Sequence, residues 1–471
     1  MYSKYIPLML LIFLLTPQVQ SCKDIIACGD ATEGDYNLLL KIRDPSRPDF
    51  QVLCIIPENY NYTYHHPWTG KSIKYVARHK YIGVTSINDT PPAIVKSGML
   101  LTDVGLAFGD ADTNSGWINP SKYAWDDFDW LRYAAENSNN IQEAIYYLTV
   151  DAVDNLHATG VSENLFLLGP DKGYVIEADA YRYHIKELIN GVDVLSNYPR
   201  ELWDTQWFKT NLISSSFDAE VYTTVRQNSI VHLGSLLGVE ISYIGKESIV
   251  VREYPPIFGF IKHRVNAFKP VIINTNESRT VGDFRVTLLD IENSEADIHI
   301  TTAVKAWQDA MFKYVNEKYG NITIKDMMNW SRIYDLDGLR PMCEKRFKYE
   351  GAAIYKIPNT NYKLLSGGWF SPNHACSSIY VPFHIVDTTI FKPYTNGEAA
   401  NLSLTLYNIY GNNLTAILSK VEEVLLYEND RIEKLALRYN ESQLLTNFDI
   451  NAQKQAWITE EIYDNILDDS T

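Results

Sequence analysis

The chain has 471 residues, 46% of them hydrophobic, with 58 acidic against 42 basic side chains and a formal net charge of -16. That balance argues against nucleic acid as a partner, because phosphates demand a basic surface, and fits a soluble, acidic, extracellular protein. The length allows one large domain or two to three ordinary ones.

The chain opens with a polar start at Lys4, the apolar run Ile6 to Leu15, a turn at Thr16-Pro17, and Val19-Gln20-Ser21. Ten apolar residues are too few to span a bilayer, and small residues at Val19 and Ser21 suit a signal peptidase. Residues 1–21 are therefore expected to be a removed secretion signal, giving a secreted or cell-surface protein that begins at Cys22. Cysteine in first place carries a thiol and a free α-amine on one residue, a nucleophile and a general base together. A disulfide cysteine or a lipid-modified anchor are the plainer alternatives.

Downstream, Asp24–Ala31, Asn37–Arg43, Gln51–Pro57, Tyr81–Ile87 and Gly98–Phe108 read as strands. A helix is expected from about Asp127 to Asn155, opened by acidic residues and carrying Leu131, Ala134, Ala135, Ile141, Ala144, Ile145 and Leu148 at helical spacing. Strands Asn164–Gly169, Gly173–Ala178 and Tyr181–Leu188 follow, then helices at Thr301–Tyr319 and Ile324–Ile333. Ala352–Ile357, Tyr362–Leu365 and Ser377–Pro382 read as strands, and Leu414–Leu437 and Ala452–Ile466 as amphipathic helices. The order suggests an α+β unit in layers over residues 22–410, with a helical C-terminal extension over 411–471.

The five cysteines are Cys22, Cys28, Cys54, Cys343 and Cys376, so an exported chain leaves one unpaired. If that one is Cys22, the others allow up to two bridges, Cys343 with Cys376 being one example. Eight Asn-x-Ser/Thr acceptors (Asn61, Asn88, Asn276, Asn321, Asn329, Asn401, Asn413 and Asn440) fit an exported glycoprotein. Nucleotide loops, the Gly-x-Ser-x-Gly elbow and His-Glu-x-x-His are absent, and no cofactor is expected. His65-His66 reads as surface or packing. Asp110, Asp112, Asp126, Asp127 and Asp129 offer calcium-type oxygens, but helix capping and a solvated face explain them more simply, and no metal is expected. Tyr60, Tyr62, Tyr64, Trp68, Trp117 and Trp125 are expected in loops that line a pocket or contact glycans.

The segment Cys22-Lys23-Asp24-Ile25-Ile26-Ala27-Cys28-Gly29-Asp30-Ala31-Thr32, with Lys41-Ile42-Arg43-Asp44 after it, resembles the cysteine branch of the N-terminal nucleophile hydrolases. That branch holds bacterial dipeptidases, secernins, penicillin V acylase and bile salt hydrolase. Gly105-Leu106-Ala107, Trp130-Leu131-Arg132-Tyr133, the hairpin Asn164–Gly169/Gly173–Ala178 and Ser196-Asn197-Tyr198-Pro199 resemble its later elements in order, so the likeness covers roughly residues 22–204. It implies a four-layer αββα sandwich and an amidohydrolase acting on linear C–N bonds, with a small peptide or N-acyl amide as substrate. By resemblance, Cys22 is the nucleophile, Lys41 lies near its thiolate, Asp44 orients amine and thiol, and Asn197 donates to the oxyanion. Asp110 or Asp112 stands where the family often has a second donor, usually Asn, and a carboxylate fills that role only when protonated. Arg226 is a weaker match to a later family Arg.

Two rival readings remain at this level. Val19-Gln20-Ser21-Cys22 is close to a lipobox, so a non-enzymatic lipoprotein anchored through Cys22 is the main alternative, and a membrane is a partner only in that case. A papain-like pair of His374 with Cys376 lacks the local signature of that family.

Overall fold

The computed structural model describes residues 22–43, 49–65, 72–90, 97–113, 115, 125–203, 220–233, 238–254, 270–336, 338–339, 342–343 and 349–468. The expected signal and Asp44 lie outside the described residues. The fold is mixed α and β, built on antiparallel sheets with a helical C-terminal region.

Six elements position the candidate site: β1 (Lys23–Cys28), β2 (Tyr36–Arg43), β3 (Ala107–Asp112), β4 (Glu163–Leu168), β5 (Gly173–Ala178) and β6 (Gly191–Leu195). A six-stranded sheet runs in the order β6, β1, β2, Gly351–Pro358, Gly367–Ser371, Val381–His384. A seven-stranded sheet runs Tyr183–Leu188, β5, β4, β3, Met99–Thr102, Tyr81–Ser86, Gln51–Ile56. Every residue of β1, β4 and β5 is buried, the charged Lys23, Asp24, Glu163 and Glu177 included, because both faces of these strands are covered.

One hydrophobic core holds Ile26 and Leu39 of the first sheet together with Ala107, Phe166, Leu168 and Val175 of the second. The other face of the second sheet packs Phe108, Leu165 and Ile176 against Trp130, Leu131 and Ala134 of α1 (Asp127–Asn137). Beyond the first sheet lie Trp307 and Met311 of the helix Ala303–Asn316, with Leu418, Leu425, Ala452 and Ala456 of α2 (Thr415–Tyr439) and α3 (Gln443–Asp468).

The helical extension packs on the core through buried charge as well as apolar area. His384 Nδ1 lies 2.7 Å from Asp449 and Lys356 Nζ lies 2.6 Å from Glu433. Arg332 grips both oxygens of Glu422 at 2.6 and 2.7 Å, and Gln453 Nε2 donates to the Pro382 carbonyl at 2.9 Å. No helix among the described residues is long and apolar enough to cross a membrane.

Four expectations need correction. The run Gly98–Phe108 is two strands, Met99–Thr102 and β3, folded back at Gly105, whose φ of +75° a side chain would resist. The single helix over 127–155 breaks at Ser138. Asn140 then caps Ile141–Tyr146 by accepting from Glu143 N at 3.0 Å, and a π-helical stretch runs on to Asn155. Polar side chains at 138–140 compete for the backbone and stop the first helix. Tyr362–Leu365 is a helical turn rather than a strand, entered through left-handed Asn361 (φ 55°). Ser377–Pro382 is irregular up to Tyr380, after a 3-10 turn that ends at Ser377, and its strand starts only at Val381.

Residues 220–302 form two four-stranded antiparallel sheets around a core of their own, which includes Val239, Ile249, Val251, Phe284, Val286 and Ile298.

Candidate active site

The β1–β2 register sets Asp24 directly opposite Lys41, so two charged side chains share the face turned toward β3. Cys22 stands just before β1 and is only 7% exposed. Lys41 Nζ lies 3.5 Å from Asp24 and 3.3 Å from Asp110, with all three side chains buried. Gly109 makes the space: a Cβ there would sit 3.2 Å from an Asp24 oxygen and 3.8 Å from Lys41 Cβ.

Burial acts to discharge the Lys41 ammonium, but Asp110, Asp24 and the Cys22 thiol outweigh it and hold its pKa well above the ordinary range. Burial pushes the Asp24 carboxyl well up, against the pull of Lys41. A single ammonium thus serves three acidic groups, the Cys22 thiol among them, and it favours the anionic form of each. Asp24 belongs to this set and was missed in the sequence. The hairpin register, counted back from Lys41, was the signal that would have found it.

The loop after β6 closes on the same place. Ser196 Oγ donates to the Cys22 carbonyl at 2.6 Å, while Ser196 N donates to Gln308 at 3.0 Å and Asn164 Nδ2 donates to the Ser196 carbonyl at 2.7 Å. Asn197 Nδ2 donates to the Asp112 carbonyl at 2.7 Å. A side-chain amide has two N–H groups, so this bond orients Asn197 without using its whole donor capacity. Glu177 of β5 accepts the backbone N–H groups of Arg200, Glu201 and Leu202 at 2.9, 2.7 and 3.0 Å. One carboxylate therefore fixes the segment that immediately follows Asn197.

Asp110 and Asp112 project from one face of β3, and Asp112 pairs across the ladder with Glu163. Burial pushes the Glu163 carboxyl well up, helped by Asp112, Asp127 and Asp110. Of the five aspartates grouped by sequence, Asp126 and Asp129 serve α1. Asp126 caps α1 by accepting from Asp129 N at 3.0 Å, and Asp129 pairs with Arg132 at 3.0 Å, as helix capping requires. Asp110 turns instead to Lys41, and the Asp112 backbone carbonyl holds Asn197.

Other candidates fall elsewhere. Arg226 is exposed on the 220–302 module and pairs with Glu295 at 2.6 Å. Cys343 and Cys376 form a disulfide, the pairing given above as an example, which removes Cys376 as the partner of a papain-like His374. His374 instead lies 2.9 Å from Glu350 and stacks on Tyr407. Cys28 and Cys54 remain thiols, and burial pushes the Cys54 thiol up to about 12. Tyr60 and Tyr62 lie in the strand Tyr60–His65 rather than a loop and stack in series with Tyr75. Trp125 packs on Tyr133, Trp68 and Trp117 lie outside the described residues, and so do the side chains of Tyr64 and His65 and the whole of His66.

No family model and no curated protein matches the chain. Among solved structures it is similar to penicillin V acylase from Agrobacterium tumefaciens, at 14% identity and a TM-score of 0.28, over 38% of this chain and 53% of that one. It is also similar to a variant of conjugated bile acid hydrolase from Clostridium perfringens, at 15% identity and a TM-score of 0.28, over 39% and 55% of the two chains. A Caenorhabditis elegans N-acylethanolamine-hydrolyzing acid amidase ortholog matches at 12% identity and a TM-score of 0.24, over 38% and 71%. The matched region spans about half the length of the acylase and bile acid hydrolase chains. At these TM-scores the likeness carries no argument, and the functional reading rests on the site itself.

Proposed function

We propose that the chain is an exported cysteine amidohydrolase of the N-terminal nucleophile type, which becomes active when cleavage after Ser21 frees the α-amine of Cys22. The observation that carries this reading is the position of Cys22: it immediately precedes β1, an interior strand of the six-stranded sheet, and its thiol is among the groups that act on the buried ammonium of Lys41. A disulfide cysteine has no use for such a neighbour, whereas a nucleophile gains from one because it favours the thiolate.

In this reading the α-amine, with an ordinary pKa of about 7.7–8.0, takes the thiol proton as sulfur attacks the amide carbon. The carbonyl oxygen becomes an oxyanion, and Asn197, oriented by Asp112, offers it a donor. The C–N bond then breaks as the α-ammonium returns its proton to the leaving amine, and the remaining thioester is hydrolysed by water. Asp24 and Asp110 hold Lys41 in place. The order of packing supports a four-layer sandwich: α1 on one sheet, that sheet on the other, and the long helices beyond. All eight glycosylation acceptors are exposed, which suits a secreted glycoprotein.

The test is hydrolysis of a panel of dipeptides and N-acyl amides by the purified secreted protein, beside a Cys22→Ala variant shown to be folded by circular dichroism. Turnover abolished by Cys22→Ala supports the reading, and full turnover in that variant removes Cys22 as nucleophile.

A further inference from the structure

Asp112 and Glu163 are direct cross-strand neighbours on a buried face, and like charges so placed repel. Asp110 lies two residues back on the same face of β3, so three carboxylates converge, and Asp127 at the start of α1 adds a fourth nearby charge. The described cations close to them are Lys41, shared with Asp24, and Arg43, which lies over the Phe128 ring and donates to Gln51 at 2.7 Å. A second observation is independent of the acidic count. The Glu163 side chain is fully buried, no donor among the described residues reaches either of its carboxylate oxygens, and the side chain in hydrogen-bond reach of it is another carboxyl, that of Asp112. A buried carboxylate without donors is costly unless something else takes up its lone pairs.

We infer that Asp110, Asp112 and Glu163 form a binding site for one hard divalent cation, calcium by preference, next to the proposed nucleophile but distinct from it. The donor set selects the ion. One oxygen from each residue lies close enough to the others to share an ion. Calcium takes about six to eight oxygens in flexible geometry, several of them from carboxylates, whereas magnesium keeps most of its water and is held through one or two carboxylates. An all-oxygen set without sulfur or imidazole disfavours zinc. Asp112 is only half-buried, which leaves one side of the ion for water. A bound dication relieves the repulsion between β3 and β4. It also draws on Asp110, so that Lys41 acts more fully on Asp24 and Cys22.

Calcium binding is read without substrate, so its failure and the failure of the hydrolase reading are separate results. The full secreted chain is stripped with a chelator and titrated with calcium chloride by calorimetry, with thermal melting in parallel. One ion per chain, with a Kd of about 0.1–1 mM and a rising Tm, is expected. Glu163→Gln and the half-buried Asp112→Asn each weaken binding at least about tenfold, while Cys22→Ala binds as the wild type does. The inference fails if the folded wild type shows neither saturable heat nor a Tm shift up to about 10 mM calcium. It fails equally if both carboxamide variants bind as tightly as the wild type. It also fails if Glu163→Gln stabilises the calcium-free protein and added calcium gives the wild type nothing, which would mean that the two acids share a proton instead.

Discussion

Replacing Asn197 by Ala separates a catalytic amide from a turn residue. The side chain makes one short bond, from Nδ2 to the Asp112 carbonyl at 2.7 Å, and its Oδ1 lies 3.3 Å from Ser196 Oγ. At about 0.5–1.5 kcal/mol each, these contacts predict a stability loss of about 1–3 kcal/mol. For a chain of this size that is a drop in Tm of only a few degrees, roughly 2–4 °C per kcal/mol or less. The loop does not depend on Asn197, because Glu177 and Ser196 hold it separately. If Asn197 donates to the oxyanion, however, its loss lowers kcat by about 10²–10³, or about 2.7–4 kcal/mol of transition-state stabilisation. The assay is kcat on the best amide from the substrate panel, beside differential scanning calorimetry on the same samples. A kcat within threefold of wild type (about 0.65 kcal/mol) refutes the donor role. A collapse of Tm shows that Asn197 is a structural turn residue.

Lys41→Met leaves Asp24 and Asp110 buried without their cation, and is expected to cost about 3–5 kcal/mol of stability in denaturant unfolding. Lys41→Arg should recover part of that loss, and equal stability of Lys41→Met and wild type would contradict the ion-pair geometry. Glu177→Ala frees three backbone N–H groups beside Asn197, so kcat should fall by more than tenfold (about 1.4 kcal/mol) with KM changed little. A change in Tm alone, with kcat intact, would make Glu177 a structural residue only. Docking of the helical extension depends on pH. Burial opposes the charge on His384, but Asp449 and then Glu433 prevail and raise it to about 10. Burial likewise pushes Glu460 to about 8, and Glu433 is held near 2 by His384 and Lys356 against its own burial. With both raised groups, the stabilisation is full below their ordinary values of 6.5 and 4.5 and is lost as pH rises through about 10 and 8. The Glu433 contribution is present above 4.5 and lost as pH falls toward 2. Asp387 also faces His384, and its carboxyl is pushed up by burial and by Asp449. The Tm difference between wild type and His384→Gln should therefore shrink between about pH 6.5 and 10, and a constant difference would contradict the assignment.

The strands that build the site were legible because they are local. β1, β2 and β5 are short apolar runs bounded by turn residues, and their limits shifted by only a few residues. Asp24 was invisible as a partner of Lys41, since the pairing exists only once two strands are in register. Glu163 was hidden for the same reason, joined to Asp112 across a ladder between residues 51 apart. The module over 220–302 escaped because its strands alternate, as in Ser248–Tyr254, where Ile249 and Val251 face inward between more exposed residues. Period-two alternation was present there, and a search for continuous apolar runs passes over it. The break in the expected 127–155 helix came from three consecutive polar residues, Ser138, Asn139 and Asn140, each able to bond the backbone or a neighbour locally.

The central claim is most directly tested at the first residue of the secreted protein. Intact mass and N-terminal sequencing of the chain recovered from an exporting host are predicted to show an unmodified Cys22 in first place, with a free α-amine that reacts with amine reagents. A chain that begins upstream of Cys22, or one whose Cys22 carries a lipid or a blocked amine, would contradict the account.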